Sequence, residues 1–161
     1  MDDERVYIGL GTNLGDRWRN ILRAIEALRS VMEVDRVSPV YETAPWGYVD
    51  QPPFFNAVVE GRTDKEPLAL LDELKRLENE LGRRPSFRYG PRVIDLDLLL
   101  YGSRVLVHPR LVLPHPTIPE RAFVLVPLAD LIPDFVHPVL KKRISEMLAE
   151  VDTSTVWPAV R

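Results

Sequence analysis

A chain of 161 residues with 45 % hydrophobic and 28 % charged residues has an ordinary globular balance, so residues 1–161 are expected to form one domain around a buried core. A net charge of −3 argues against a general nucleic-acid binder, and the absence of cysteine excludes a disulfide framework or a thiolate metal centre. No apolar run reaches membrane-spanning length and no signal-like stretch follows the acidic start, so a cytoplasmic protein with neither membrane nor nucleic-acid partners is expected, monomeric or at most a weak homodimer.

Residues 5–10 read as a first strand. Gly11-Thr-Asn-Leu-Gly-Asp16 reads as the turn into a helix capped by Asn13 or Asp16. Trp18, Ile21, Leu22, Ile25, Leu28 and Met32 then recur at helical spacing to about residue 32. The glycines of this turn fit neither the dinucleotide fingerprint nor the P-loop, so the segment is read as packing. Residues 34–42 and 54–62 read as two further strands. Their connector, Thr43-Ala-Pro-Trp-Gly-Tyr-Val-Asp-Gln-Pro-Pro53, brings Trp46 and Phe54 as flat apolar surfaces, with Thr43 and Asn56 as hydrogen-bonding groups. It is either the wall of a planar-ring pocket or a rigid loop that packs.

Pro67 suits the first turn of a second helix running to about residue 81, with Leu70, Leu71, Leu74, Leu77 and Leu81 inward. Glu78 falls on that apolar stripe, where a carboxylate is costly unless paired. It either finds an arginine or a polar ligand, or reaches outward. Arg83, Arg84, Arg88 and Arg92 then crowd into ten residues broken by Pro85, Gly90 and Pro91, too irregular for a continuous helix.

From residue 93 onward the chain reads as a strand. Ile94, Leu96, Leu98 and Leu100 are expected on the core face, and Val93, Asp95, Asp97 and Leu99 on the other. The two aspartate Cα atoms then lie roughly 6.7 Å apart. At an effective dielectric near 20 their charges repel by about 2.5 kcal/mol. Arg88 and Arg92, or divalent cations held by both carboxylates, offset this. Oxygen-only ligands suit Mg²⁺, which takes one or two carboxylates plus phosphate oxygens and water. A basic loop beside such a pair is what a metal-polyphosphate substrate requires.

Gly102-Ser103 reads as a turn, residues 104–107 as a short extra strand, and the proline-rich stretch 109–121 as a constrained path carrying His115 and Arg121. Residues 123–131 are apolar enough for a buried helix or strand, and residues 141–150 read as a last helix. Trp157 is the residue of the tail that suits a core edge. The order β-α-β-β-α-β with C-terminal additions is an α+β, ferredoxin-like pattern, a mainly antiparallel sheet with flanking helices.

Arg88-Tyr-Gly-Pro-Arg-Val-Ile-Asp-Leu-Asp-Leu-Leu-Leu-Tyr-Gly102 closely resembles the signature of the 6-hydroxymethyl-7,8-dihydropterin pyrophosphokinases of folate biosynthesis. Tyr7-Ile-Gly-Leu-Gly-Thr-Asn-Leu-Gly-Asp16, Tyr41-Glu-Thr-Ala-Pro-Trp-Gly47, Gln51-Pro-Pro-Phe-Phe-Asn56, Leu77-Glu-Asn-Glu-Leu-Gly-Arg83 and Pro114-His-Pro-Thr-Ile-Pro-Glu-Arg-Ala-Phe123 resemble its other blocks in order. The resemblance implies transfer of pyrophosphate from ATP to the pterin hydroxymethyl group, releasing AMP. It implies two Mg²⁺ ions on Asp95 and Asp97, with Arg83, Arg92, His115 and Arg121 on phosphates. Arg88 and Glu78 would join the nucleotide network, Arg110 and Leu111 would lie near the nucleoside, and Thr43, Ala44, Trp46, Phe54, Asn56, Asp95 and Phe123 would form the pterin pocket. Where the family commonly has a second arginine two residues after the one matching Arg83, this chain has Pro85, leaving Arg84 for that role.

Two other readings suit some of the residues. A two-metal nucleotide phosphohydrolase would use the same acids and arginines but leaves the aromatic connector without a task. A ferredoxin-like binding module reading single-stranded RNA would need a basic surface and exposed aromatics on the central strands, where this chain has acids.

Overall fold

The computed structural model describes residues 3–45, 49–82, 86–87 and 90–160. β1 (Glu4–Thr12) leads into α1 (Arg17–Leu28), which Asp16 caps by accepting a hydrogen bond from the Arg19 N–H at 3.1 Å. The helix stops before the expected residue 32; Val31 and Met32 are buried in the turn that follows it. The strand expected over 34–42 is two strands, β2 (Glu33–Val37) and β3 (Tyr41–Thr43). Pro39 has no N–H to continue a ladder, and Ser38 takes over at the break: its N–H donates to the Val58 carbonyl and its Oγ accepts the Val58 N–H, both at 2.9 Å.

β4 (Phe54–Thr63) and α2 (Pro67–Glu80) follow as expected, then β5 (Asp95–Tyr101), which starts two residues later than its apolar run. β6 (Leu106–His108) and β7 (Leu111–Leu113) form a separate hairpin. A short 3₁₀ turn over Ile118–Glu120 precedes α3 (Ala122–Leu131), which resolves the ambiguous apolar run as a helix. α4 (Ile144–Ala149) is shorter than expected, and β8 (Val156–Pro158) turns the tail into a strand.

The main sheet runs β5-β1-β4-β3-β8, with β2 also on β4, and every pairing is antiparallel. α1 and α2 cover one face through Val6, Ile8, Leu10, Phe55, Val59, Leu96 and Leu98. α3 and α4 cover part of the other through Tyr7, Val58, Leu99 and Leu100. The alternation expected for β5 therefore holds as far as Leu99 and fails at Leu100. The register slips where Tyr7 faces Leu100 and Ile8 faces Leu98, so Leu99 is an extra residue. This bulge turns Leu99 and Leu100 to the same side and returns Tyr101 to the helix-side core. Among the described residues no helix is long and apolar enough to cross a membrane.

Candidate active site

The face that carries α3 is not covered along its whole length. Towards the end of the sheet where β1 finishes and β5 begins, the register sets Gly9 opposite Asp97 and Gly11 opposite Asp95. Both carboxylates share that face, two residues apart, and both are half-buried. The glycines leave the space in front of them open. A Cβ on Gly11 would stand 3.1 Å from Asn56 Nδ2, and one on Gly9 3.3 Å from a Leu99 methyl. The result is a cavity of about 270 Å³ bounded by β1, β3, β4, β5 and the start of α3.

Nine of the residues singled out in the sequence line this cavity: Thr43, Ala44, Phe54, Asn56, Arg92, Asp95, Asp97, Arg121 and Phe123. Thr43 donates its hydroxyl to Asn56 Oδ1 at 2.6 Å, and both are buried, so the Asn56 amide is held in one orientation. Phe54 and Phe123 bring aromatic surface, and the Arg121 guanidinium lies over the Phe123 ring, 5.4 Å from its centroid. The donor set is oxygen-only and fits Mg²⁺. Among the described residues no group of three or more His, Cys, Asp or Glu is gathered, so phosphate oxygens or water would complete such a site.

The electrostatics of the two aspartates differ. Asp95 has Arg92 Nε 3.6 Å from its Oδ1, whereas among the described residues neither a hydrogen bond nor an ion pair reaches the Asp97 carboxylate. Arg92 spends its remaining donors on its own loop, giving hydrogen bonds to the carbonyls of Gly90, Pro91 and Phe87. His115 stands beside Asp97 and Arg121. Burial pushes its imidazole below the ordinary histidine range; Asp97 opposes this and Arg121 adds to it. It is therefore neutral at pH 7, a hydrogen-bonding group rather than a cation.

Glu78, 2 % exposed, accepts the N–H of Leu96, the residue between the aspartates, at 2.8 Å, with Lys75 Nζ 3.7 Å away. Its partner is thus the acidic strand itself, so it fixes that strand against α2. Glu78, Arg110, Leu111 and His115 do not line the cavity. Arg110 sits on the turn of the β6–β7 hairpin, paired with Asp72 of α2, and Leu111 packs into the core. Trp46, Arg83, Arg84 and Arg88 lie outside the described residues.

One residue that sequence reasoning offered only as a helix cap does something else. Asn13, 3 % exposed, donates from Nδ2 to Gln51 Oε1 and the Pro52 carbonyl at 2.8 and 2.9 Å, while its Oδ1 accepts the Arg92 N–H at 2.8 Å. The backbone N–H groups of Asn13 and Leu14 both donate to the Arg92 carbonyl. Asn13 thereby joins the β3–β4 connector to the segment leading into β5. The signal was its place just beyond β1, where the two connectors converge.

Residues 7–133 match the family model described as 7,8-dihydro-6-hydroxymethylpterin-pyrophosphokinase. A 2-amino-4-hydroxy-6-hydroxymethyldihydropteridine pyrophosphokinase of Aquifex aeolicus is 41 % identical over 145 residues, which cover 90 % of this chain and 91 % of that one. The folic acid synthesis protein fol1 of Pneumocystis carinii is 42 % identical over 161 residues, covering 99 % of this chain but 22 % of that protein. Among solved structures, the wild-type HPPK-DHPS of Plasmodium falciparum superposes with a TM-score of 0.76 at 16 % identity, over 92 % of this chain and 45 % of that one. That likeness establishes the shared α+β fold.

Proposed function

Since this chain belongs to the 7,8-dihydro-6-hydroxymethylpterin-pyrophosphokinase family, we propose that it moves the terminal pyrophosphoryl group of ATP to its pterin on a pair of Mg²⁺ ions held by Asp95 and Asp97. The reaction is the family's: it is an ATP-dependent diphosphotransferase of folate biosynthesis, with ATP and 6-hydroxymethyl-7,8-dihydropterin as substrates. The hydroxymethyl oxygen forms a bond to the β-phosphorus, the bond from that phosphorus to the α,β-bridging oxygen breaks, and AMP leaves with that oxygen. The hydroxyl proton is lost to the surroundings.

The observation that carries the mechanism is the cavity, which joins two aspartates on one strand face to a fixed Thr43–Asn56 amide and two phenylalanine rings. Asn56 reads the polar edge of the pterin while Phe54 and Phe123 hold its faces, with Ala44 beside them. Asp95 and Asp97 would hold Mg²⁺ at the reacting end, and the bound metal would supply positive charge to neutralise the triphosphate and polarise its reacting oxygens. Arg92, Arg121 and the neutral His115 hold phosphate oxygens, Arg92 by releasing carbonyls of its own loop. Arg83, Arg84 and Arg88 have the same assignment from the sequence, and Arg110 with Leu111 the nucleoside. Glu78 is assigned here to the Leu96 N–H, and through it to the placing of both aspartates. Two cores on one shared sheet support reading residues 1–161 as one domain of this kind.

The test is AMP formation from Mg-ATP by the purified protein, with and without the pterin, with EDTA as control. AMP is expected only when pterin and metal are both present. Phosphate or pyrophosphate release without pterin would replace this reading by a nucleotide phosphohydrolase.

A further inference from the structure

The ring-facing residues Thr43 and Ala44 lie at the end of β3, a strand of three residues. So short a strand has little intrinsic stability, and its outer edge is closed by β8, more than a hundred residues away in sequence. Thr43 faces Val156, Glu42 faces Trp157, and Tyr41 faces Pro158. The Ala44 N–H donates to the Thr155 carbonyl at 3.0 Å. Trp157 adds a side-chain link, its indole Nε1–H donating to Glu42 Oε1 at 3.0 Å. The other oxygen of Glu42 lies 2.8 Å from the Arg17 guanidinium. The same Arg17 nitrogen donates to the Pro53 carbonyl at 2.9 Å, and its guanidinium carbon lies 3.9 Å from the Phe55 ring centroid.

These contacts secure both ends of the connector between β3 and β4. Ala44 is tied to the segment before β8, and Pro53 to the N-terminal turn of α1, with Glu42 bridging the two. We propose that β8 is a clamp on the pterin wall and that Trp157 is a positioning residue, acting through Glu42, that sets pterin affinity without touching substrate. The inference rests on the reading of the cavity as the pterin site. The aspartates stand on β5, at the opposite edge of the sheet, so loosening β8 acts on ring binding and leaves phosphoryl chemistry alone.

The variant Trp157→Phe keeps an aromatic ring and removes the indole N–H; the side chain is 40 % exposed, so the core is not disturbed. Two readouts are taken on the full chain. Amide hydrogen exchange at Ala44 is expected to quicken by roughly tenfold, and KM for the pterin to rise by about three- to tenfold, the net scale of one solvent-exposed hydrogen bond. KM for ATP and kcat stay within twofold. Glu42→Gln, which keeps an acceptor for the indole but loses the Arg17 ion pair, should give a smaller rise in the same constant. Unchanged Ala44 exchange in both variants overturns the clamp, and faster exchange with an unchanged pterin KM overturns the positioning role. Faster exchange in a protein whose parent shows no pterin-dependent AMP formation would leave the clamp standing and remove the assignment of the cavity.

Discussion

Two acidic sites share the face of the sheet that carries α3, and the chain treats them in opposite ways. At one end Glu60 is 3 % exposed and fully partnered: Tyr7 donates its hydroxyl at 2.6 Å, Arg36 gives two hydrogen bonds at 2.8 Å, and Arg5 stands 3.2 Å away. The hydrogen-bonded Arg36 guanidinium, against the opposing effect of burial and with help from Tyr7, holds the Glu60 carboxyl below the usual carboxylate range. At the other end Asp95 and Asp97 face two glycines and a cavity. Glu60 is an acid whose countercharges are built in, so it stabilises. The aspartates are partnered less fully: Arg92 Nε stands 3.6 Å from Asp95, whereas among the described residues neither a hydrogen bond nor an ion pair reaches Asp97, so part of the repulsion between the two acids is left standing.

The sharpest way to break this contrast is to neutralise one site at a time. Asp97→Ala should lower turnover by about a thousandfold or more while leaving the thermal midpoint unchanged or raised, because a repulsive pair is relieved. A midpoint that fell along with activity would make the pair structural. Glu60→Ala should do the reverse, keeping kcat within a few-fold while costing about 2 kcal/mol in denaturant unfolding, since Tyr7 and Arg36 lose their shared acceptor. Asn13→Ala probes what keeps the open end in shape. Cutting its ties to Gln51, Pro52 and Arg92 should reduce kcat/KM by about tenfold or more, with a smaller loss of stability, in steady-state assays that vary each substrate.

The smallest effect serves as a control away from both ends. His137 accepts the N–H groups of Val139 and Leu140 on Nδ1, and burial lowers its pKa from 6.5. The folded state thus favours the neutral ring. Its contribution is complete above the unfolded value and declines as pH falls below about 6.5 towards the lower folded value. The stability advantage of the parent over His137→Gln should therefore be larger at pH 7.5 than at pH 5 in denaturant unfolding. Comparing the two proteins removes the contribution of His115, whose pKa is lowered too.

Most of the framework was legible because it is local. The 3.6 period in α1 and α2 is a property of consecutive residues, and it fixes which of their side chains face the sheet. The Asp95–Asp97 pair was legible for the same reason: two residues apart on a strand is one face. What escaped depends on partners far away in the chain. Leu100 changes face because a bulge against Tyr7 inserts Leu99. Asn13 holds residues 38 to 79 positions away. Arg110 pairs with Asp72 in a helix whose placement no local pattern gives, and Trp157 finds Glu42 across 115 residues. The Leu96 N–H that satisfies Glu78 is likewise invisible to spacing, although the need for some partner could be read from the apolar stripe.

The same Glu78 contact bears on how the molecule avoids sticking to others. β5 is the outermost strand of the sheet and also a strongly apolar one, a combination that invites edge-to-edge pairing with another chain. Two of its outward backbone groups are engaged. The Leu96 N–H is taken by a buried carboxylate, and the Leu99 carbonyl accepts the N–H of His115 at 2.9 Å. At the opposite margin β8 is three residues long and ends in Pro158, which has no hydrogen to donate. The apolar edge strand that carries Asp95 and Asp97 is thus made a poorer template for aggregation.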